Sequence, residues 1–443
     1  MTAAAKDKVF EEEWEQEAVP ERVRKSLASV SLVWLGFPMI ITGAVTGALI
    51  VAGLGFKTGM VAIALGNLAL LAYVGALSAL GAKSGFNFAL LARTTFGSRG
   101  YLLPSGLLST VVVGWFAVQT GLVANSLDGA FGWNLLALSI IAGLLFTGIT
   151  LLGIRALTWL GAVSAPLFVG FSVYAVVLAL QESSAGAIIR YPGHSSNAAS
   201  LTLGAAVTIV VSLFIDSGTM TPDFTRWAKS PRHAWLATFT AFPFANALAM
   251  IFGGVVAAAG VGNANFFELV AGKGGLVAVL AIVFLFVNLG TVCTHCLYNA
   301  AVGWAQILGL RFAPVALAWG LVGTAIAAAG VWSQFTNWLA LLGVIVPPIG
   351  AVLLTDHLVL RRRAAEAFSL QGLPAYQAAP ILAWAVGAGA ALAAHYAAPQ
   401  LAEVLVGFLA ASGAHVLLTR VARVGGGALL RDPLATVRQG DGS

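Results

Sequence analysis

The sequence predicts an all-α polytopic membrane protein of about twelve transmembrane helices, in which a five-helix unit is repeated with inverted topology and followed by two further helices. Three observations carry this reading. Of the 443 residues 59% are hydrophobic and only 9% charged, in apolar runs separated by short polar links, which excludes a soluble domain. The basic residues are one-sided: with the N-terminus inside, only Lys57, Arg190 and Lys273 of the 23 lysines and arginines fall outside. Finally, two apolar segments five spans apart are each interrupted near mid-membrane, the spacing of broken helices in an inverted repeat.

Windows of about 20 apolar residues place the spans near 28–52, 59–82, 101–127, 135–154, 157–181, 201–220, 234–260, 276–309, 313–331, 336–360, 378–398 and 401–419. Residues 1–27 then form a cytoplasmic segment and 28–419 a single transmembrane domain, with repeats near 28–181 and 201–360; 420–443 form a cytoplasmic tail. An even number of spans and the basic bias put both termini inside, in a cytoplasmic (plasma or inner) membrane. The net charge of +6 therefore records topology, and no nucleic-acid partner is needed to explain it. The N-terminal segment carries Glu11, Glu12, Glu13, Glu15 and Glu17. It lacks the basic start and short apolar core of a cleavable signal, so span one is expected to serve as the insertion signal. The links are short except for Gln181 to Ser200, polar and external, and Arg226 to Arg232, basic and cytoplasmic; neither is long enough for a domain. The tail from Val424 reads as disordered.

Span one reads GFPMIITGAVTGALIVAGLG from Gly36 to Gly55, and its break is expected at Gly43 and Gly47, a spacing that serves equally for close helix packing. Span six reads SLFIDSGTMTPDFTRW from Ser212 to Trp227, with Asp216, Ser217 and Gly218 at the interruption. Irregular backbone survives at membrane depth only where it is buried in protein or lines a polar cavity, so this break is a ligand site in waiting. Asp216, ionisable inside a span, either binds a substrate N–H, carries a proton, or satisfies a neighbouring backbone N–H. In span three Trp115 offers a flat π-face and Gln119, one turn on, a paired donor and acceptor, a combination suited to a planar heteroaromatic ring. Phe214 is either a second aromatic wall or core packing.

Span eight reads FVNLGTVCTHCLYNAAVGW, and Asn288, Thr291, Thr294, His295, Tyr298 and Asn299 share one helical face that should point into the bundle. His295 is either a proton carrier or a core histidine bonded to a backbone carbonyl. Cys293 and Cys296, the only cysteines, bracket Thr294 and His295. They do not make a structural zinc site, which needs four ligands, and no second cluster is present.

The runs GAKSGFNFALLARTTFGSRGYLLPS (Gly81 to Ser105), GWF (Gly114 to Phe116), GTMTPDFTRWAKS (Gly218 to Ser230), LYNAAVG (Leu297 to Gly303) and VPPIGAVLLTDHLVLRRR (Val346 to Arg363) resemble the nucleobase:cation symporter family 1, its cytosine permease branch in particular. The resemblance runs nearly end to end with the motifs in order. It implies a leucine-transporter-like fold and import of a nucleobase or related ring by cation symport. It also implies that Trp115 stacks on the substrate and that Phe214 packs on or near it. Gln119 matches the hydantoin-transporting branch. Sodium would be held by carbonyls at the span-one break, around Gly36 to Met39, and by hydroxyls of span eight such as Thr291. The chain departs from that pattern where two adjacent threonines, an asparagine and an aspartate are expected: it has Thr291, Val292, Cys293, Thr294 and His295, while Asp216 stands where a small serine belongs.

The substrate site is thus expected from Trp115, Gln119, Phe214, Asp216, Ser217, Gly218, Cys293, Thr294 and His295, and the cation site from Gly36, Met39, Thr291, Asp216 and His295. No cofactor is expected apart from sodium as a candidate coupling ion, with a proton carried by Asp216 and His295 as its rival. The partners are a nucleobase-like small molecule and the lipid bilayer. An enzyme is disfavoured because H-E-x-x-H, G-x-S-x-G and a phosphate-binding glycine loop are all missing. The competing readings are a hydantoin or allantoin symporter and a transport-inactive receptor, the latter expected to carry a soluble signalling domain.

Overall fold

A computed structural model describes residues 13–193, 201–260, 266–272, 274–361, 368–398 and 400–425. The expectations for Lys273, Arg362, Arg363, the first twelve residues, the tail beyond 425 and the end of the Gln181–Ser200 link lie outside the described residues. Among the described residues eight helices are long and apolar enough to cross a membrane alone, and the pair Leu27–Gly36 and Ile41–Leu54, bent by 57°, forms a ninth span. Three shorter apolar helices, Leu135–Thr150, Leu203–Ser212 and Phe312–Ala328, complete twelve in the expected order. Span two is Phe56–Ser84, three Leu102–Phe131, four Leu135–Thr150 and five Ile154–Glu182. Span six begins with Leu203–Ser212 and continues through Ile215–Thr219 and Pro222–Thr225; span seven joins Pro231–Phe239, a π-helical stretch Thr240–Asn246 and Ala247–Ala258. Eight is Gly275–Leu308, nine Phe312–Ala328, ten Phe335–Ile345 with Pro347–Thr355, eleven Ala378–Ala397 and twelve Glu403–Gly425.

Hydrocarbon and protein select opposite faces of these helices. In span eight Leu276, Val279, Leu280 and Val283, at helical spacing, are at least half exposed, as a lipid-facing stripe must be. Farther along the same helix Asn288, Thr291, Thr294, His295 and Asn299 are all fully buried. Spans three and eight end on Gly132 and Gly309 with φ of +68° and +66°, the left-handed conformation that glycine adopts without a Cβ penalty.

The break in span one falls at Phe37–Ile40 rather than at Gly43 and Gly47, which lie within the unbroken helix Ile41–Leu54. Pro38 supplies no N–H and Ile40 is extended at φ −128°, ψ 154°, which ends one helix and starts the next. The two glycines serve packing instead. A Cβ on Gly47 would stand 2.0 Å from the Met250 carbonyl oxygen, and one on Gly253 1.8 Å from that of Ala44, so spans one and seven touch backbone to backbone. Gly36 and Gly161 bring the first half of span one equally close to span five.

Residues from Glu13 to Lys25 lie as a strap across the end of the bundle where span one starts and span six finishes. The buried Glu13 carboxylate accepts from Ile154 N–H at 2.9 Å and from Tyr298 O–H at 2.7 Å. Arg226, fully buried, donates to the Glu13 and Trp14 carbonyls at 2.7 and 2.8 Å. Farther along, Gln16 donates to Ala305 O, Glu15 accepts from Phe312 N–H, and Lys25 N–H meets Trp227 O. The strap therefore ties spans five, six, eight and nine together.

Candidate substrate site

Span six is interrupted at Leu213 and Phe214, where φ of −132° and ψ of 11° at Phe214 leave helical geometry before Ile215–Thr219 begins. The new turn sets Asp216 at 1% exposure, its Oδ1 accepting from Ser217 N–H at 2.7 Å, while Oδ2 has no hydrogen-bond partner among the described residues. Span three brings Trp115 to the same place: its indole N–H faces the Asp216 carboxylate without a well-formed bond to it. From span eight the Cys296 thiol lies beside both Asp216 and Ser217. Cys293 meets the Thr120 hydroxyl at 3.5 Å, one turn below Trp115.

One turn from Trp115, Gln119 donates from Nε2 to Thr42 Oγ1 at 3.2 Å and leaves Oε1 without a partner among the described residues. The ring that meets Trp115 is Phe335 of span ten, edge-on at 5.7 Å and 73°. Beyond Phe335, on the side away from the strap, lies a cavity of about 400 Å³ lined by Thr46, Leu49, Thr208, Ser212 and Leu339. Its Thr208 and Ser212 hydroxyls are buried without partners among the described residues. The groups from spans one, three, six, eight and ten thus surround one small region holding an indole donor, an amide oxygen and a carboxylate oxygen, all unpaired. An unpaired buried polar group costs about 1–3 kcal/mol, so this grouping is stable only with something to bind or as a standing expense of function.

The remaining candidates have the following surroundings. Phe214 packs edge-on to Phe37 at 5.3 Å and to Phe242 at 5.8 Å, within an aromatic cluster that also holds Trp34, Phe224 and His295. Gly218 is pressed on span two, where a Cβ would stand 2.8 Å from Val74. Thr294 is buried with its hydroxyl unpaired among the described residues. His295 stacks on Phe37 at 4.6 Å and 12°, its Nδ1 2.6 Å from Thr291 O and its Nε2 2.8 Å from Val33 O. Carbonyls only accept, so a neutral ring donates to one of the two, and the tautomer decides which.

The groups expected to hold sodium do not fit a cation. Met39 O already accepts from Asn288 Nδ2 at 2.6 Å, and Asn288 Oδ1 accepts from Ile41 N–H at 3.0 Å. The Thr291 hydroxyl is turned back to Val287 O at 2.7 Å, and the side chain next to it is Val292. A hard cation needs converging oxygen lone pairs; here the Asn288 N–H points at the Met39 carbonyl that would supply one.

Broken helices in spans one and six, facing spans three and eight across an unpaired polar cluster, define a multi-pass transporter of leucine-transporter-like fold. The comparisons with known proteins agree. The profile of a family described as permease for cytosine/purines, uracil, thiamine, allantoin matches residues 18–414, and the chain belongs to that family. It is 33% identical over 375 residues to the cytosine permease of Escherichia coli K12, covering 85% of this chain and 88% of that one. Among solved structures, the nucleobase-cation-symport-1 transporter Mhp1, closed with bromovinylhydantoin bound, superimposes with a TM-score of 0.71 at 20% identity, over 95% of this chain and 97% of the other. A Na+-coupled sialic acid symporter gives a TM-score of 0.69 at 14% identity over 95% and 93%.

Sequence reasoning missed Thr42, Thr120, Phe335 and Cys296 in this region. A hydroxyl one turn into span one was a readable signal for Thr42. Phe335 offered none, being one phenylalanine among 25.

Proposed function

We propose that this permease imports a nucleobase-like heteroaromatic base by secondary active transport across the cytoplasmic membrane, with both termini inside, and that an aminopyrimidine edge is read by Asp216. The unpaired Asp216 Oδ2 beside the Trp115 indole carries this reading. The free carboxylate oxygen accepts an N–H bond from an exocyclic amine, which an aminopyrimidine carries, whereas a simple imide flanks its one N–H with carbonyl oxygens that a carboxylate repels. Trp115 offers its π-face and Gln119 Oε1 a further acceptor, so the ring is held on a face and on two edges. Cytosine, hydroxymethylpyrimidine and aminopurines all carry such an amine. Membership of a family of permeases and kinship with a cytosine permease support the class of substrate.

Hydantoin or allantoin is the second reading. It is favoured by Gln119, whose paired donor and acceptor match an imide, and by a relative named hydantoin permease from Microbacterium maritypicum at 29% identity over 307 residues.

Thermal melts of the purified protein with a panel of bases separate the two, since a ligand of the folded state raises Tm by mass action. An aminopyrimidine should stabilise the parent and lose about 10–100-fold in affinity in D216N, the loss of a charge-assisted hydrogen bond worth about 1.5–3 kcal/mol. Hydantoin binding that survives D216N would move the assignment to the second reading. Aminopyrimidine binding that survives it would remove Asp216 from the site.

A further inference from the structure

The junction between the span-one break and span eight, where a cation would be held in this fold, is instead closed by two side chains of the protein. From that geometry we infer that Asn288 and His295 take the cation's structural place and that substrate binding by this chain needs no sodium. The inference rests on the transporter reading above.

A sodium ion bound here would draw together the carbonyls freed by the broken helix and oxygens of span eight, fixing the break in one shape. The last turn of Leu27–Gly36 leaves carbonyls without helical donors. His295 reaches one of them, Val33 O, from span eight at 2.8 Å, the Nε2–H tautomer donating to it, while Nδ1 lies 2.6 Å from Thr291 O. Asn288 grips the far side of the break with both ends of its amide. Nδ2 donates to Met39 O and Oδ1 accepts from Ile41 N–H, the first residue of the second half-helix. A third contact, from Asn288 Nδ2 to Ser164 Oγ at 3.3 Å, adds span five. Every one of these groups is fully buried or nearly so. Phe37, in the break itself, stacks on the imidazole.

The two halves of span one are thereby bridged to span eight by three hydrogen bonds at the place where a metal ion would sit. Val292 stands where a second hydroxyl would be required, so the loss of oxygen donors and the gain of nitrogen donors occur together. Asp216 accepts from Ser217 N–H and lies beside Trp115 and Cys296 instead. Asn288 and His295 are positioning residues here: they touch the break and not the base.

The experiment compares sodium chloride with choline chloride at equal ionic strength on the purified full chain in lipid nanodiscs, reading Tm and the apparent Kd of a stabilising aminopyrimidine. The parent should show no sodium-specific Tm shift without base, and its Kd should differ less than about threefold between the salts. A sodium-specific shift in the parent, or a larger change in Kd, overturns the inference. The double variant V292T/H295S removes the imidazole and supplies two hydroxyls. It should acquire a sodium-specific Tm shift, which a merely structural role for His295 would not produce. Should this variant fail to fold, V292T alone and the parent melts still decide the matter. The sodium arm reads without any base, so failure of every base to bind would count against the substrate reading and not against this one.

Discussion

Removing the Glu13 carboxylate should unlatch the strap end of the bundle. Its two oxygens accept from Ile154 N–H at 2.9 Å and Tyr298 O–H at 2.7 Å. Bonds to a charged acceptor are worth about 1.5–3 kcal/mol each. The pair is therefore worth about 3 kcal/mol at the low end, and E13A should raise the fraction of molecules open at this end by about 100-fold. The protein carries its own reporters. Its only two cysteines, Cys293 and Cys296, are 0% and 1% exposed beside the candidate substrate site. When opening is fast relative to alkylation, labelling by a small maleimide tracks the open population. The rate in E13A should exceed that of the parent by up to about 100-fold, fall again with bound base, and be intermediate in E13Q, which keeps one acceptor. An E13A protein that is helical and monodisperse yet labels within about twofold of the parent would refute the latch.

Four further outcomes follow from the packing, the site and the topology. G47A and G253A should each lower stability by about 1–3 kcal/mol, because the new methyl meets backbone that cannot move aside, whereas G413A, with nothing within 4 Å of its Cβ, should melt like the parent. W115A should weaken base binding by about 10–100-fold through lost stacking of about 1–3 kcal/mol, and W115F should recover part of it; equal losses would mean that the indole N–H matters more than the ring face. Asn246 donates to Asn67 at 2.9 Å between spans seven and two. N246A should therefore cost about 1 kcal/mol, the modest value of a hydrogen bond between membrane helices, measured by the same melts. In a cysteine-free background K57C should react with an impermeant thiol reagent from outside the cell and R311C only from inside; the reverse would invert the assigned topology.

Much of the fold was readable because hydrocarbon demands uniform apolar helices, and any exception stands out against them. Asp216 and Gly218 were such exceptions, and the break in span six lies two residues before the acid. Span one was read less well. Glycine can loosen a helix or let two helices touch, and composition alone does not separate these uses, whereas Pro38, with no N–H to give, was the firmer mark. The strap was invisible for a different reason. Glu13 stood in an acidic run that looked solvated, and Arg226 looked like a loop cation; only the fold buries them together. The meeting of Phe335 with Trp115 joins residues more than two hundred apart in the chain, and no local pattern announces it.

The π-helical stretch of span seven has a bearing on how such a chain can change over time. Residues Pro231–Phe239 run beside the first half of span one, and Ala247–Ala258 beside the second half, which leaves at 57°. A straight helix could present one face to only one of those directions. The widened turn at Thr240–Asn246, which contains Pro243, shifts the helical phase by about 100° for one added residue. Gly253 is thereby aimed at Ala44. The bend in one span is thus written into another as a change of rhythm, and losing a single residue there would turn half a helix away from its neighbour. Substitutions in this stretch can be absorbed one at a time, but insertions and deletions have to arrive in pairs.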